Sequence, residues 1–221
     1  MQKIEINESI RNCQLFLNVC DEDLEKMLRC LAATAEKYEK NSYVYHAGEN
    51  VRKVGIVLSG GVHIIDDDYW GNRTIISTIM PGSTFGESFS FAGERRLLTS
   101  AIAYEKTEVM YIDCRRIITP CDNLCSFHLG LVANLMELLA KTNVRLVRKI
   151  RLITGRNIRE KVMLYLSEQS QLTGETTFRI PYNRQELADF LSVDRSALSA
   201  ELSKMQKDGI IKYKKSNFKL L

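Results

Sequence analysis

The sequence predicts an α+β protein in three successive parts: a small antiparallel β-sandwich or roll, one long helix, and a compact C-terminal module of helices and a hairpin. Three observations predict it. Between Tyr38 and Ile112, short β-branched and aromatic runs alternate with Gly, Asp, Asn and Pro clusters at roughly ten-residue spacing. After Pro120 the texture turns helical for more than thirty residues, with no proline and no glycine beyond Gly130, which is longer than an ordinary globular helix. The formal charge of +4 also divides at Val144. Residues 145–221 hold 16 Lys and Arg against 8 Asp and Glu, a net of +8, while residues 1–144 hold 15 against 19, a net of −4. A basic module beside an acidic one points to a polyanionic partner for the former.

Taken in order, residues 8–34 read as two short helices, the second opened by Asp21, with Leu24, Met27, Leu28 and Leu31 on one face. The strand runs are Tyr43–Tyr45, Val54–Leu58, Val62–Ile65, Thr74–Ile79 and Val109–Ile112. Trp70 falls in a hairpin tip, and His46 and His63 sit in strands without ligand-spaced neighbours, so both histidines read as structural.

The long helix carries two apolar stripes. One runs Leu129, Val132, Met136, Leu139, Asn143, Leu146, Ile150, Ile153 in strict 3-4 alternation, with Asn143 its single polar member. The other runs Leu124, His128, Leu131, Leu135, Leu138. A helix with two apolar faces needs two partners, and the heptad stripe suits pairing with its own twin while the second packs on the roll. The expectation is a parallel homodimer with Leu129, Val132, Met136, Leu139, Asn143, Leu146 and Ile150 at the seam. Thr154-Gly155-Arg156 then breaks the helix, and Asn157 followed by Glu160 caps a new one through Ser167. The expected domains are 1–120, a sensing roll with N-terminal helices; 121–154, the dimerisation helix; and 155–221, the C-terminal module.

Residues 183–208, NRQELADFLSVDRSALSAELSKMQKD, carry the strongest functional signal. Leu187, Ala188 and Leu191 form the inner face of a first short helix. Ser192-Val193-Asp194 is the tight turn, Val193 its plug, and Leu198, Leu202 and Met205 face a second helix inward. That second helix offers Arg195, Ser196, Ser199, Ala200 and Lys204 outward, able to meet base edges and phosphates in a major groove. A basic hairpin over 209–220 reads as a wing, so the module is a winged helix-turn-helix. Arg184, Lys212, Lys214 and Lys215 are placed on phosphates, with Gln185 beside them.

From Arg184-Gln185-Glu186-Leu187-Ala188-Asp189, Val193-Asp194-Arg195 through Leu202, and PGSTFGE at 81–87, residues 10–221 resemble the Crp–Fnr family of transcription regulators. The resemblance implies a cyclic-nucleotide-binding-like roll, double-stranded DNA and RNA polymerase as partners, and a cytoplasmic homodimer. It also implies that Pro81–Glu87 is a phosphate-binding cassette, with an effector pocket drawn from Gly86, Glu87, Ser88, Arg95, Arg96, Thr99, Ser100, His128 and Leu131. Two departures matter. The first turn of the recognition helix, where the best-known members present Arg then Glu and a later Arg, here reads Arg195, Ser196 and Ala200. The Arg expected about ten residues beyond the cassette glutamate falls on Leu97 to Thr99. Cys13, Cys20 and Cys30 are too widely spaced for the cysteine cluster of oxygen-sensing members.

The effector stays open at this stage: an unassigned small apolar or anionic molecule, a cyclic nucleotide, or metal and redox sensing by Cys114, Cys121, Cys125 and His128, the last three at i, i+4, i+7. No cofactor is required. The competing function is a cyclic-nucleotide-binding module acting on a protein partner, against which the basic wing argues. No nucleophile–base motif or Walker loop supports an enzyme. Six cysteines without dense spacing read as reduced thiols, and no apolar run approaches a membrane span.

Overall fold

Residues 4–92, 96–119 and 127–221 are described by a computed structural model, the side chains of residues 127 and 128 excepted. The chain forms two compact units, 1–66 with 77–144, and 67–76 with 145–221. Its elements run α1 (Glu8–Arg11), α2 (Asp21–Cys30), β1 (Thr34–Tyr38), β2 (Tyr43–Tyr45), β3 (Lys53–Ser59), β4 (Val62–Asp67), β5 (Arg73–Ile79), β6 (Thr84–Phe85), α3 (Glu87–Ala92), β7 (Ser100–Ala103), β8 (Thr107–Asp113) and α4 (Cys114–Ile118). After these come α5 (Phe127–Ile153), α6 (Ile158–Thr173), β9 (Thr177–Arg179), α7 (Arg184–Leu191), α8 (Arg195–Lys207), β10 (Ile211–Lys214) and β11 (Asn217–Leu220).

Two four-stranded sheets, ordered β1-β8-β3-β6 and β2-β7-β4-β5, make the roll predicted from the strand runs. The central strands β3 and β8 pair antiparallel from Lys53↔Asp113 to Ser59↔Glu108. Both are apolar on both faces, because each face has its own core. Val57, Val109 and Tyr111 turn into the roll with Val44, Val62, Ile79 and Phe85. Their neighbours Val54, Ile56, Leu58, Met110 and Ile112 turn outward against Ile10, Phe16, Leu24, Met27 and Ile117. A near-continuous apolar run is what a strand covered on both faces requires. β1 was not among the predicted strands, since residues 34–38 continue directly from the second helix. Ala32, with φ +50°, makes the break, and Thr34↔Tyr111 to Tyr38↔Thr107 pairing then holds β1 as an edge.

Helix α5 is described over 27 residues, and Leu124 of the second predicted stripe lies outside the described residues. The two stripes have opposite fates. Leu131, Leu135 and Leu138 are 1, 5 and 4 % exposed, the first two within the outer core of the roll, whereas Leu129, Met136 and Ile150 stand 85, 69 and 58 % exposed. Leu139, assigned to the seam from its spacing, packs partly against the outer core of the roll. Asn134 donates to the Leu15 and Leu17 carbonyls, both at 3.1 Å, fixing the helix on the N-terminal segment.

Helix α6 begins as expected, with the Asn157 side chain accepting from the Glu160 amide at 2.9 Å. It runs to Thr173 rather than Ser167, because nothing between Glu168 and Leu172 breaks a helix. Gly174, at φ +71°, does. Among the described residues, no helix is long and apolar enough to cross a membrane.

The roll carries a pH dependence of its own. Tyr111 donates to Tyr38 at 2.7 Å, Tyr38 donates to Glu36 at 2.8 Å, and the Tyr45 ring leans on Tyr111 and Phe85. Burial pushes the Tyr38 phenol up to about 12 and lifts Tyr45 and Tyr111 still further, while burial pushes the Cys13 thiol up to about 12. These groups bind protons more tightly folded than unfolded. Their contribution is therefore intact below the ordinary thiol and phenol values, about 8.5 and 10, and is lost as pH climbs toward 12. In an alkaline titration, phenolate absorbance is expected in two phases, the second coinciding with loss of ellipticity. Complete phenol ionisation with the fold retained would contradict this account.

Candidate nucleic-acid interface

Leu187, Ala188, Leu191, Leu198, Leu202 and Met205 are all buried in one cluster with Val162, Leu166, Ile211 and Phe218. Fully burying each of these side chains larger than Ala188 stabilises the module by about 1.5–3 kcal/mol before entropy is counted. Val193 packs partly against the same cluster, as a turn plug should. Both helices are capped. Asn183 accepts from the Gln185 and Glu186 amides at 2.9 and 3.0 Å while the Glu186 carboxylate accepts from the Asn183 amide at 2.7 Å, completing a capping box. Ser192 ends α7 in the left-handed region, φ +51°. Asp194 then caps α8 by accepting from the Ala197 amide at 2.8 Å, and the Ser196 hydroxyl bond to it is the first cause holding its carboxyl below the usual range.

On the outer side of α8, Arg195, Ser196, Ala200 and Lys204 are exposed and Ser199 is half-buried. The Ser196 hydroxyl donates to Asp194, so base contact from it competes with the cap. Ser203, absent from the sequence-based set, is also exposed on this helix; its hydroxyl donates to the Ser199 carbonyl at 2.9 Å. Its place four residues after Ser199 was the available signal. The acidic side chains of this region are engaged elsewhere, as Arg159 of α6 reaches Glu201 at 2.5 Å and Asp208 at 2.7 Å. The cationic side chains of α8 are thereby left to dominate its surface.

The wing is a three-stranded sheet, β10-β11-β9. β9 was missed, although Thr177-Phe178-Arg179 alternates polar and apolar; it pairs Asn217↔Arg179 through Lys219↔Thr177. Across the hairpin Tyr213 stacks on Phe218, while on the opposite face Lys212 stands directly opposite Lys219. Like charges so placed cost stability. Lys214 and Lys215 extend the same exposed basic patch, Lys215 at φ +54° in the turn. Arg184, placed on a phosphate from the sequence, is half-buried, its guanidinium 5.0 Å from the centre of the Tyr213 ring, and burial lowers its pKa. Gln185 is also engaged, donating to Asp189 at 2.7 Å.

In the roll, Gly82 and Gly86 both adopt φ +81°, as the turns of the predicted cassette need. Phe85 lies where a side chain on Gly55 would be, 2.4 Å from an ideal Cβ, so the β3–β6 approach depends on glycine at 55. Glu87 is buried at the start of α3, while Ser88 is exposed. Ser100 accepts from the Ala47 amide at 2.9 Å. Leu97 is buried between Gly48 and Glu49, bonded through its backbone to both, and Arg96 is exposed with Thr99 half-buried. Leu131 lies in the outer core. Arg95 and the His128 side chain lie outside the described residues, as do Cys121 and Cys125. Cys114 is buried, and that burial raises its pKa, so its thiol is held protonated. Among the described residues, no three His, Cys, Asp or Glu side chains come together as metal ligands. His63 is bonded to Thr78 at 2.9 Å and stacked on Tyr104; His46 is exposed and stacked on Tyr43.

Two family models match the chain. The cyclic nucleotide-binding domain matches residues 35–119, and the Crp-like helix-turn-helix domain residues 160–221. The chain is 23% identical over 178 residues to the cAMP-activated global transcriptional regulator CRP of Haemophilus influenzae, covering 79% of this chain and 78% of that one. Two solved structures share the fold at 19% identity. One is the c-di-GMP responsive global regulator CLP of Xanthomonas campestris, at TM-score 0.73, covering 88% of this chain and 97% of that one. The other is FixK2 of Bradyrhizobium japonicum, at TM-score 0.68, covering 85% and 92%.

Proposed function

We propose that this chain, which belongs to the Crp–Fnr family of transcription regulators, works in the cytoplasm as a homodimer that binds a palindromic DNA operator under the control of a small molecule held in the roll. The observation that carries the DNA reading is the capped α8 bearing Arg195 and Lys204 outward beside a wing whose Lys212 and Lys219 face each other. Cations set opposite one another at a cost in stability favour a polyanionic partner. The exposed heptad face of α5 supports pairing with a second copy, which would place two recognition helices about 34 Å apart on successive major grooves. RNA polymerase is the expected further partner at promoters.

For the effector, an unassigned organic molecule is favoured over a cyclic nucleotide. Leu97 is buried close to where the family's phosphate-pairing Arg is expected. A metal or redox effector is less favoured because the spacing of Cys114, Cys121, Cys125 and His128 matches no standard metal-ligand pattern.

The test is binding to a random duplex pool over a salt series. Four cations per protomer on phosphates, eight in a dimer, give an expected slope of log affinity against log salt of about −7. A slope near zero, or recovery of no inverted repeat from the bound fraction, would refute the reading.

A further inference from the structure

One cation in the unit formed by 67–76 and 145–221 faces inward rather than toward solvent. Lys149, near the C-terminal end of α5, is half-buried. Its ammonium donates to the Ile75 carbonyl at 3.0 Å and to the Phe190 carbonyl, and it lies 3.4 Å from the centre of the Phe190 ring. Lys161 of α6 donates to the next carbonyl, that of Leu191, at 3.3 Å. Two lysines from two helices thus cap the end of α7, where the last carbonyls lack partners within the helix and carry partial negative charge. Phe190 also stacks on Tyr182 and leans on Tyr165, so its ring is fixed from the other side.

The chemistry of this contact is unusual. Its acceptors are neutral carbonyls and an aromatic face, and the charge that acts on Lys149 most is that of Lys161, which repels it. Burial and that repulsion bring Lys149 down to about 7. Such a contact fixes geometry, yet it recovers only part of the cost of burying a cation. Elements of this kind are the ones that open first. Its position gives opening a consequence, for Phe190 and Leu191 lead straight into Ser192-Val193-Asp194, the turn that aims α8. Around the same end of α7, Asp189 lies within electrostatic reach of Arg73 and Asp67, so the 67–76 segment engages the helix beyond the single lysine.

We propose that Lys149 is an autoinhibitory clasp: by joining Ile75 to Phe190 it holds the helix-turn-helix on the 67–76 segment, and its release frees the module to align with DNA. The inhibitory part of this proposal rests on the DNA-binding reading, whereas the clasp itself does not. The full-length Lys149→Met variant keeps the apolar stem and removes the donors, with Lys149→Gln as the second variant should the first fold poorly. Hydrogen exchange is expected to quicken in peptides covering 70–80 and 186–195 together. Affinity for the selected duplex without added effector is expected to rise roughly tenfold, a coupling of ordinary allosteric size. Unchanged exchange in both segments would overturn the clasp. Quickened exchange with unchanged or weaker DNA binding would overturn its inhibitory role while leaving the DNA reading intact. Failure of the unmodified protein to bind any duplex would end both the inhibitory role and the DNA reading.

Discussion

Met136→Glu is expected to convert the proposed dimer to a monomer. Met136 stands 69 % exposed in a stripe with Leu129 and Ile150, on a helix whose other stripe is already buried. A 3-4 apolar repeat displayed to water favours pairing with a second copy, because contiguous apolar surface of that extent is rarely left uncovered. In a parallel pair the two copies of residue 136 face one another. Glutamate there would place two carboxylates at the seam with no cation to meet them, and an uncompensated buried charge costs about 3–5 kcal/mol. Sedimentation equilibrium should report the 25.3 kDa mass of a single chain. Operator affinity should fall by about two to four orders of magnitude, since linked half-site binding gains that much over a single module. A variant that remains dimeric would show that another surface makes the pair.

The same helix shows what the sequence makes legible. Periodicity separated its two stripes because burial on one side of a cylinder constrains residue type at 3-4 spacing. What periodicity does not carry is the helix rotation, and Leu139 of the heptad stripe also packs partly on the roll. The helix-turn-helix is legible nearly residue by residue, since six apolar positions fall at helical spacing between Leu187 and Met205, whereas the caps at Asn183 and Asp194 emerge only from the structure. Short strands were harder. β1, β7 and β9 are five, four and three residues long, and each exists by pairing with a strand distant in sequence, which no local window contains. Functional side chains proved legible as types but not as states. Arg184 was identified as a cation, but its packing on Tyr213 comes from a strand 29 positions away. Lys149 read as one more charge of the basic half, and nothing near it in sequence marks the carbonyls of Ile75 and Phe190 as its partners.

Arg195→Ala and Lys212→Ala should lower DNA affinity in different ways, and the difference separates base reading from phosphate contact. Arg195 is the first residue of α8, exposed, and just past the Asp194 cap that fixes the helix start. A long planar donor at that position reaches the floor of a major groove, where a guanine presents the O6 and N7 acceptors that a guanidinium meets in pairs. Its loss should cost about 1–3 kcal/mol per half-site and relax the preference at one base pair in each half of the operator. A symmetric site would double that in the dimer, about 30-fold to 10⁴-fold or more, provided the half-sites act independently. Lys212 lies on the wing opposite Lys219. Its removal should weaken all duplexes alike and reduce the salt slope by about 0.9 per protomer, leaving the selected sequence unchanged. Selection from a random pool with each variant, at two salt concentrations, measures both quantities at once. Should Arg195→Ala recover the same operator with the same base preference, the readout belongs elsewhere on α8, with Ser196, Ser199, Ser203 and Lys204 among the exposed or half-exposed polar groups left to supply it.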